Sequence, residues 1–262
     1  MVLKSLYFNG GSTFDTNHHG QWLRQYWWTS VFISAMYIAV VFGGKRLMSD
    51  RVKPFDLRRP LVAWSASFAL FSFIGMLVTV NDFARCVVDD GWRATICDAN
   101  FFDGKVGLWM WLFALSKVLE LGDTIFIVLR KQKLIFLHWY HHVSTLIYTW
   151  YLYNDFMSVG RYFATLNFAV HFVMYTYYAL SAAKVVQKPR HIKVAITAMQ
   201  LIQFVISIGV TIYASFELWA GRHCDTNWTN IFWTMILYVS FLYFFLRFFY
   251  DSYVKRPEKQ KV

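Results

Sequence analysis

The sequence predicts an all-α polytopic membrane protein with seven transmembrane helices, an N-terminus on the lumenal side and a C-terminus in the cytosol. Three observations lead there. Of 262 residues, 57% are apolar and 21% aromatic, but only 16% are charged, against roughly a quarter in soluble domains. Seven stretches of 20 to 24 residues are poor in charge, which is the length a helix needs to cross ~30 Å of hydrocarbon. Basic residues crowd into alternate connections between those stretches. The composition excludes a disordered, collagenous or disulfide-scaffold chain, and without repeats or Pro/Gly-rich linkers residues 1–262 read as one domain.

The elements follow in order. The polar run Asn9–Gly20 has no basic region leading into an apolar one, so no signal peptide is expected and the first span, Gln25–Gly44, acts as an uncleaved insertion signal. The second span is Pro60–Asn81. The third, Val106–Leu129, is interrupted by Lys117, Glu120 and Asp123. The fourth to seventh are Leu134–Asn154, Tyr162–Ala183, Val194–Phe216 and Thr226–Leu246. Runs of this length suit spanning helices, whose backbone groups are satisfied within the segment, better than strands. Eighteen of the 26 Lys and Arg fall in Lys45–Arg59, Arg130–Lys133, Lys184–Lys193 and the tail from Arg247; seven lie in the opposite connections and Lys117 lies inside the third span. Basic residues stay cytosolic during insertion, which sets the orientation. The net charge of +11 is therefore topology, and no nucleic-acid partner is expected.

Polar residues at depth carry the functional signal, because an ionisable group there costs at least a few kcal/mol unless it is paired or faces a wet cavity. In the third span Lys117, Glu120 and Thr124 share a helical stripe, with Asp123 about 100° to its side. In the fourth His138, His141 and His142 project from one face. Asn167, His171, Tyr175 and Tyr178 form a stripe in the fifth, and Gln200 and Gln203 a pair in the sixth. Four successive polar stripes are expected to meet in one pocket in the cytosolic half. Lys117, Glu120 and Asp123 suit either an internal ion-pair cluster or a substrate-orienting wall.

Imidazoles in such a pocket could hold iron or zinc. Only four of the eight histidines lie at depth, however, and no HxxxH box precedes HxxHH, so no metal is expected. Proton transfer or nucleophilic attack is the better use. His141, the middle of its stripe, is the expected nucleophile or central base, with His138 and His142 orienting it and His171 assisting. No thiol competes, because Cys97 and Cys224 fall in lumenal loops and Cys86 near the lumenal end of its segment. Cys97 and Cys224 are the two cysteines clear of the membrane, both on its oxidising side, and are expected to form a disulfide that closes the helix ring opposite the pocket. The sequon Asn227-Trp-Thr229 lies so close to the seventh span that it is expected to stay unmodified.

The run Lys117-Val-Leu-Glu-Leu-Gly-Asp123-Thr124, the box His138-Trp-Tyr-His141-His142, the block Asn167 to Tyr178 and Gln200-Leu-Ile-Gln203-Phe resemble, in order and spacing, the signature blocks of the ELO/ELOVL fatty-acid elongases. Trp139 and the run Arg130–Leu137 most resemble the branch acting on saturated and monounsaturated long-chain acyl-CoAs. The resemblance implies a 3-ketoacyl-CoA synthase of the endoplasmic-reticulum membrane, joining an acyl-CoA to malonyl-CoA with release of CO2 and CoA. It implies no tightly bound cofactor, acyl-CoA and malonyl-CoA as substrates, a lipid surrounding, and the reductases and dehydratase of the elongation cycle as partners. A homo-oligomer is compatible with it. The tail Lys255–Val262 carries lysines off the usual dilysine register, so that residence rests on the resemblance. The alternative class is a seven-span transporter using the His/Lys/Asp cluster as a proton relay.

Overall fold

A computed structural model describes residues 16–187 and 189–255, and every regular element among them is helical. Ten α-helices follow in order: α1 Thr16–Tyr26, α2 Thr29–Ser49, α3 Arg58–Asp89, α4 Trp92–Cys97, α5 Gly104–Glu120, α6 Gly122–Leu129, α7 Phe136–Asn154, α8 Gly160–Ala182, α9 Arg190–Trp219 and α10 Trp228–Phe249. A 3-10 turn at Asn100–Phe102 and a π-helical turn at Tyr250–Val254 complete the set. By length and apolar composition, four helices can cross a membrane: α2, α3, α9 and α10 with its extension to Val254. The chain is a multi-pass membrane protein. The expectations drawn from the tail beyond residue 255 and from the first 15 residues fall outside the described residues.

Two expected boundaries are corrected. The first apolar stretch was expected at Gln25–Gly44; the helix instead begins at Thr29 and runs to Ser49. Side chains explain the shift, since Thr29 Oγ1 donates to the Tyr26 carbonyl and Ser30 Oγ to the Trp27 carbonyl, both at 2.6 Å, turning the chain between α1 and α2. At the other end Lys45 and Arg46 stay helical because their aliphatic stems can lie along apolar surface while the charges reach water.

The second correction concerns Val106–Leu129, expected as one helix. It is broken at Leu121, whose N–H bonds the Val118 carbonyl in a tightened turn (3.3 Å) before Gly122 opens α6. Gly122 is required there: a Cβ would come within 2.7 Å of the Trp64 ring. The break re-aims Asp123 and Thr124 relative to Lys117 and Glu120.

Packing places the site. Helices α3 and α8 lie along one another over most of their length, drawn close where Gly75 meets the Phe168 ring; a Cβ at Gly75 would sit 2.6 Å from it. Helix α8 packs on α9, α9 on α10, α10 on α7 and α7 on α5, with α3 closing the circuit against α5. Helices α1 and α2 lie outside, against α7. Several hydroxyls within the helices are satisfied by the preceding turn, as Thr145 Oγ1 is by the His141 carbonyl (2.6 Å) and Thr211 Oγ1 by the Ser207 carbonyl (2.7 Å); in lipid an unmet donor would cost several kcal/mol. Asn227 caps α10 by accepting from the Asn230 N–H at 2.9 Å.

The expected disulfide is present. Cys97 at the end of α4 and Cys224 before α10 have Cα atoms 4.3 Å apart and are bonded. Around it the Asp225 N–H donates to the Cys97 carbonyl (2.8 Å), the Ser158 N–H to the Asp225 carbonyl (2.9 Å) and the Ala99 N–H to Asp225 Oδ2 (2.8 Å). Three connections are thereby locked together at one end of the helix ring.

Candidate active site

A narrow, elongated cavity of about 80 Å³ runs inside the ring. One residue from each of the four polar stripes lines it: Lys117 from α5, His141 from α7, Asn167 from α8 and Gln203 from α9. Aromatic and aliphatic side chains, among them Phe113, Tyr148, Phe163, Phe204 and Phe241, form the remaining wall. Along α7 the lining extends from His141 to Tyr153, which is about 18 Å of helix axis. The cavity thus has a polar end, carrying His141 and Lys117, and an apolar body leading to the disulfide-bridged end.

His141 holds a distinct place among the four histidines. Its ring faces the cavity beside Phe241 (centroids 4.9 Å) and His142 (5.7 Å), and among the described residues neither of its nitrogens has a hydrogen-bond partner. His138 is engaged instead: its Nε2 lies 3.0 Å from Thr124 Oγ1, which is 2.6 Å from the Tyr37 hydroxyl. His138 and His142 pack ring on ring at 4.5 Å. His171 Nδ1 is 4.0 Å from Glu120 Oε1.

Lys117 is buried, 4% exposed, and donates to Glu120 Oε1 at 2.8 Å and to Asn167 Oδ1 at 3.0 Å. Ser116 Oγ adds a bond to the same Glu120 oxygen at 3.0 Å. Lys117 and Glu120, one turn apart on α5, thus form a buried ion pair whose cation still touches the cavity. Asp123 belongs to a separate layer, accepting from Trp64 Nε1 at 2.7 Å and from the Tyr175 hydroxyl at 2.6 Å. It ties α6 to α3 and α8 behind the lining, and Tyr175 stacks on Phe68 at 5.0 Å.

Comparison with known proteins decides the family. The sequence matches the GNS1/SUR4 (ELO) family over residues 22–261. It is 43% identical over 247 residues to a very long chain fatty acid elongase 6 of Homo sapiens, covering 94% of this chain and 92% of that one. It is 40% identical to an elongase 6 of Drosophila melanogaster (89% and 75% covered) and 39% identical to an elongase 3 of Homo sapiens (91% and 87%). The chain belongs to the GNS1/SUR4 family. That membership leaves the transporter alternative without support.

In this GNS1/SUR4 chain four of the thirteen expected catalytic and orienting residues line the cavity. Glu120, Asp123, Thr124, His138, His142, His171 and Tyr175 lie off the lining, and Tyr178 and Gln200 stand apart from it. Tyr178 is 44% exposed and meets only the edge of Tyr175 and the ring of Tyr177. Gln200 turns to the Met174 sulfur at 3.5 Å, whereas Gln203, one turn on, is buried in the cavity wall with its Oε1 unpartnered. Tyr37 and Trp64, which reach Thr124 and Asp123 from α2 and α3, were not foreseen from the sequence. Each is a lone aromatic in an apolar stretch, with no polar periodicity to mark it. Among the described residues no group of three or more His, Cys, Asp or Glu is arranged to hold a metal ion.

Proposed function

We propose that this chain is the condensing enzyme of fatty-acid elongation, joining a long-chain saturated or monounsaturated acyl-CoA to malonyl-CoA and releasing CO2 and CoA. One observation carries the reading: an unengaged imidazole, His141, stands beside a buried ammonium at the polar end of a long apolar cavity. The cavity body suits an acyl chain, and basic residues of the connections, including Arg130, Lys131 and Lys133, suit the CoA phosphates. The chain is read as crossing seven times, with α5–α6, α7 and α8 as the further crossings. Its disulfide end is placed in the lumen of the endoplasmic reticulum, where a disulfide persists.

In this reading the free His141 nitrogen attacks the thioester carbonyl; a C–N bond forms, the C–S bond breaks, and the proton from the ring N–H passes to the departing CoA thiolate. Malonyl-CoA then loses CO2, and the resulting carbanion attacks the acyl-imidazole carbonyl, forming the C–C bond and breaking the C–N bond. One proton from solvent restores the imidazole, so each cycle consumes one proton. Lys117 and Asn167 sit where a developing oxyanion can be stabilised. His138 and His142 orient His141, and His171 assists decarboxylation. Glu120, Asp123, Thr124 and Tyr175 hold these groups in place. The 3-ketoacyl-CoA product requires reduction and dehydration by further enzymes of the cycle.

Release of CoA and CO2 from purified full-length protein given acyl-CoA and malonyl-CoA tests the function. His141→Ala is expected to lower turnover by at least about a thousandfold, with expression unchanged; near-normal turnover in that variant would overturn the assignment. Mass spectrometry after incubation with acyl-CoA alone checks the adduct.

A further inference from the structure

The far end of the cavity is built differently from its polar end. The Phe102 ring, buried, lines the cavity and also lines a second pocket that opens beside the disulfide among Asp103, Asp155, His223 and Asp225. Phe102, packed against Tyr153 and Phe156, therefore stands at the boundary between an apolar chamber and a polar vestibule. Phe102 stacks on Phe101 at 4.4 Å, and Phe101 lies under the Arg161 guanidinium at 4.6 Å.

Arg161 is 2% exposed and has several partners. Its Nε pairs with Asp82 Oδ2 at 3.0 Å, Nη2 donates to Asn100 Oδ1 at 2.7 Å, and Nη1 donates to the Ala94 carbonyl at 3.2 Å and approaches Cys86 Sγ at 2.9 Å. Asn100 opens the turn that carries Phe101 and Phe102. Arg161 directly follows Gly160, which lines the cavity and faces the Phe101 and Phe102 rings, each 3.9 Å from where a Cβ would stand.

Resting on the condensing reading above, we infer that Phe102 is the floor that limits the length of acyl chain this enzyme accepts, and that Arg161 is the positioning residue that holds it there through Phe101 and Asn100. Nothing about His141 is needed for this role. The floor is a partition rather than the outer surface, so its removal opens space that an acyl terminus can enter. Bulk added at Gly160 shortens the chamber from the same end.

The test is the product-length profile of the full-length enzyme with malonyl-CoA and a ladder of saturated acyl-CoAs. Phe102→Ala should raise the preference for a substrate two carbons longer than the wild-type optimum by about tenfold relative to that optimum, the discrimination a methylene or two commands in an apolar pocket. Gly160→Val should move the profile the opposite way, toward shorter substrates. Arg161→Met should shift it in the direction of Phe102→Ala, whereas a merely structural arginine would lower the yield of folded enzyme and leave the profile in place. Because the profile is a ratio, it is independent of the amount of active protein, and if Phe102→Ala does not accumulate, Gly160→Val decides. Unchanged profiles with an active wild type would overturn the floor alone. A wild type that joins no acyl-CoA to malonyl-CoA would overturn the condensing reading and the floor with it.

Discussion

Two cations are buried in this protein, and they are used differently. Lys117 has one carboxylate, one amide and the face of Phe113 as partners and still lines the cavity. Arg161 is surrounded by a carboxylate, an amide, a backbone carbonyl, a thiol and an aromatic face, although its Nε faces Asp82 as an ion pair without a well-formed hydrogen bond, and it does not reach the cavity wall itself. Burying either charge is costly, and the cost is offset only by pairing. A guanidinium has five donors in a fixed fork and can meet several partners at once, which suits a structural brace; an ammonium with few partners retains capacity for a substrate oxygen. Chemistry belongs where a buried charge keeps a face on the cavity, and architecture where it does not.

The sharpest way to break this contrast is to remove each cation in turn. Lys117→Met should lower turnover by at least about a hundredfold, since it deletes the group placed to stabilise an oxyanion and strands Glu120. Arg161→Met should instead destabilise the fold, by about 3 to 5 kcal/mol for breaking a buried pair, while turnover per folded molecule on accepted substrates stays within a few-fold. Steady-state kinetics normalised to folded protein, alongside thermal melts, separate the two; equal loss of turnover in both variants would erase the distinction.

The disulfide sharpens the comparison at the braced end. Replacing Cys97 and Cys224 together by Ser should cost about 2 to 5 kcal/mol, because the bond closes a loop over a sequence separation of 127. Melting with and without reductant should reproduce that shift in the wild type and show none in the double variant. A smaller effect is expected for Asp123→Asn. The amide can keep its oxygen on Trp64 Nε1 and donate its NH2 to the Tyr175 oxygen, but the Tyr175 hydroxyl proton then loses its acceptor, at a cost of about 1 to 3 kcal/mol. Stability and turnover should fall together, and a variant of wild-type stability with low turnover would move Asp123 from the supporting layer into the reacting one.

Much of the polar end was legible in the sequence because helical spacing and charge-poor runs are local properties. His138, His141 and His142 had to share a face once Leu134–Asn154 was helical, and the Lys117, Asn167 and Gln203 stripes had nowhere to point but inward. Spacing could not separate Gln203 from Gln200, or bring Tyr178 to the site, because a stripe is broad and its edge residues can face a neighbouring helix or lipid. The break at Leu121 was equally invisible: Gly122 is tolerated in many helices, and it is the Trp64 ring, arriving from another helix, that makes it necessary.

By itself the sequence determined that the chain is helical and lives in a membrane, which helices carry polar stripes, and that two cysteines lie on one side, free to pair. These follow from periodicity and hydrophobic length, which act along the chain. Only the tertiary structure decided that His141, of the four histidines at depth, lines the cavity, that Asp123 is held by Trp64 and Tyr175, and that Phe102 stands between two pockets. Those depend on contacts between helices remote in sequence. There, close packing admits one arrangement of side chains, and each buried polar group takes whatever partner the neighbouring helix brings.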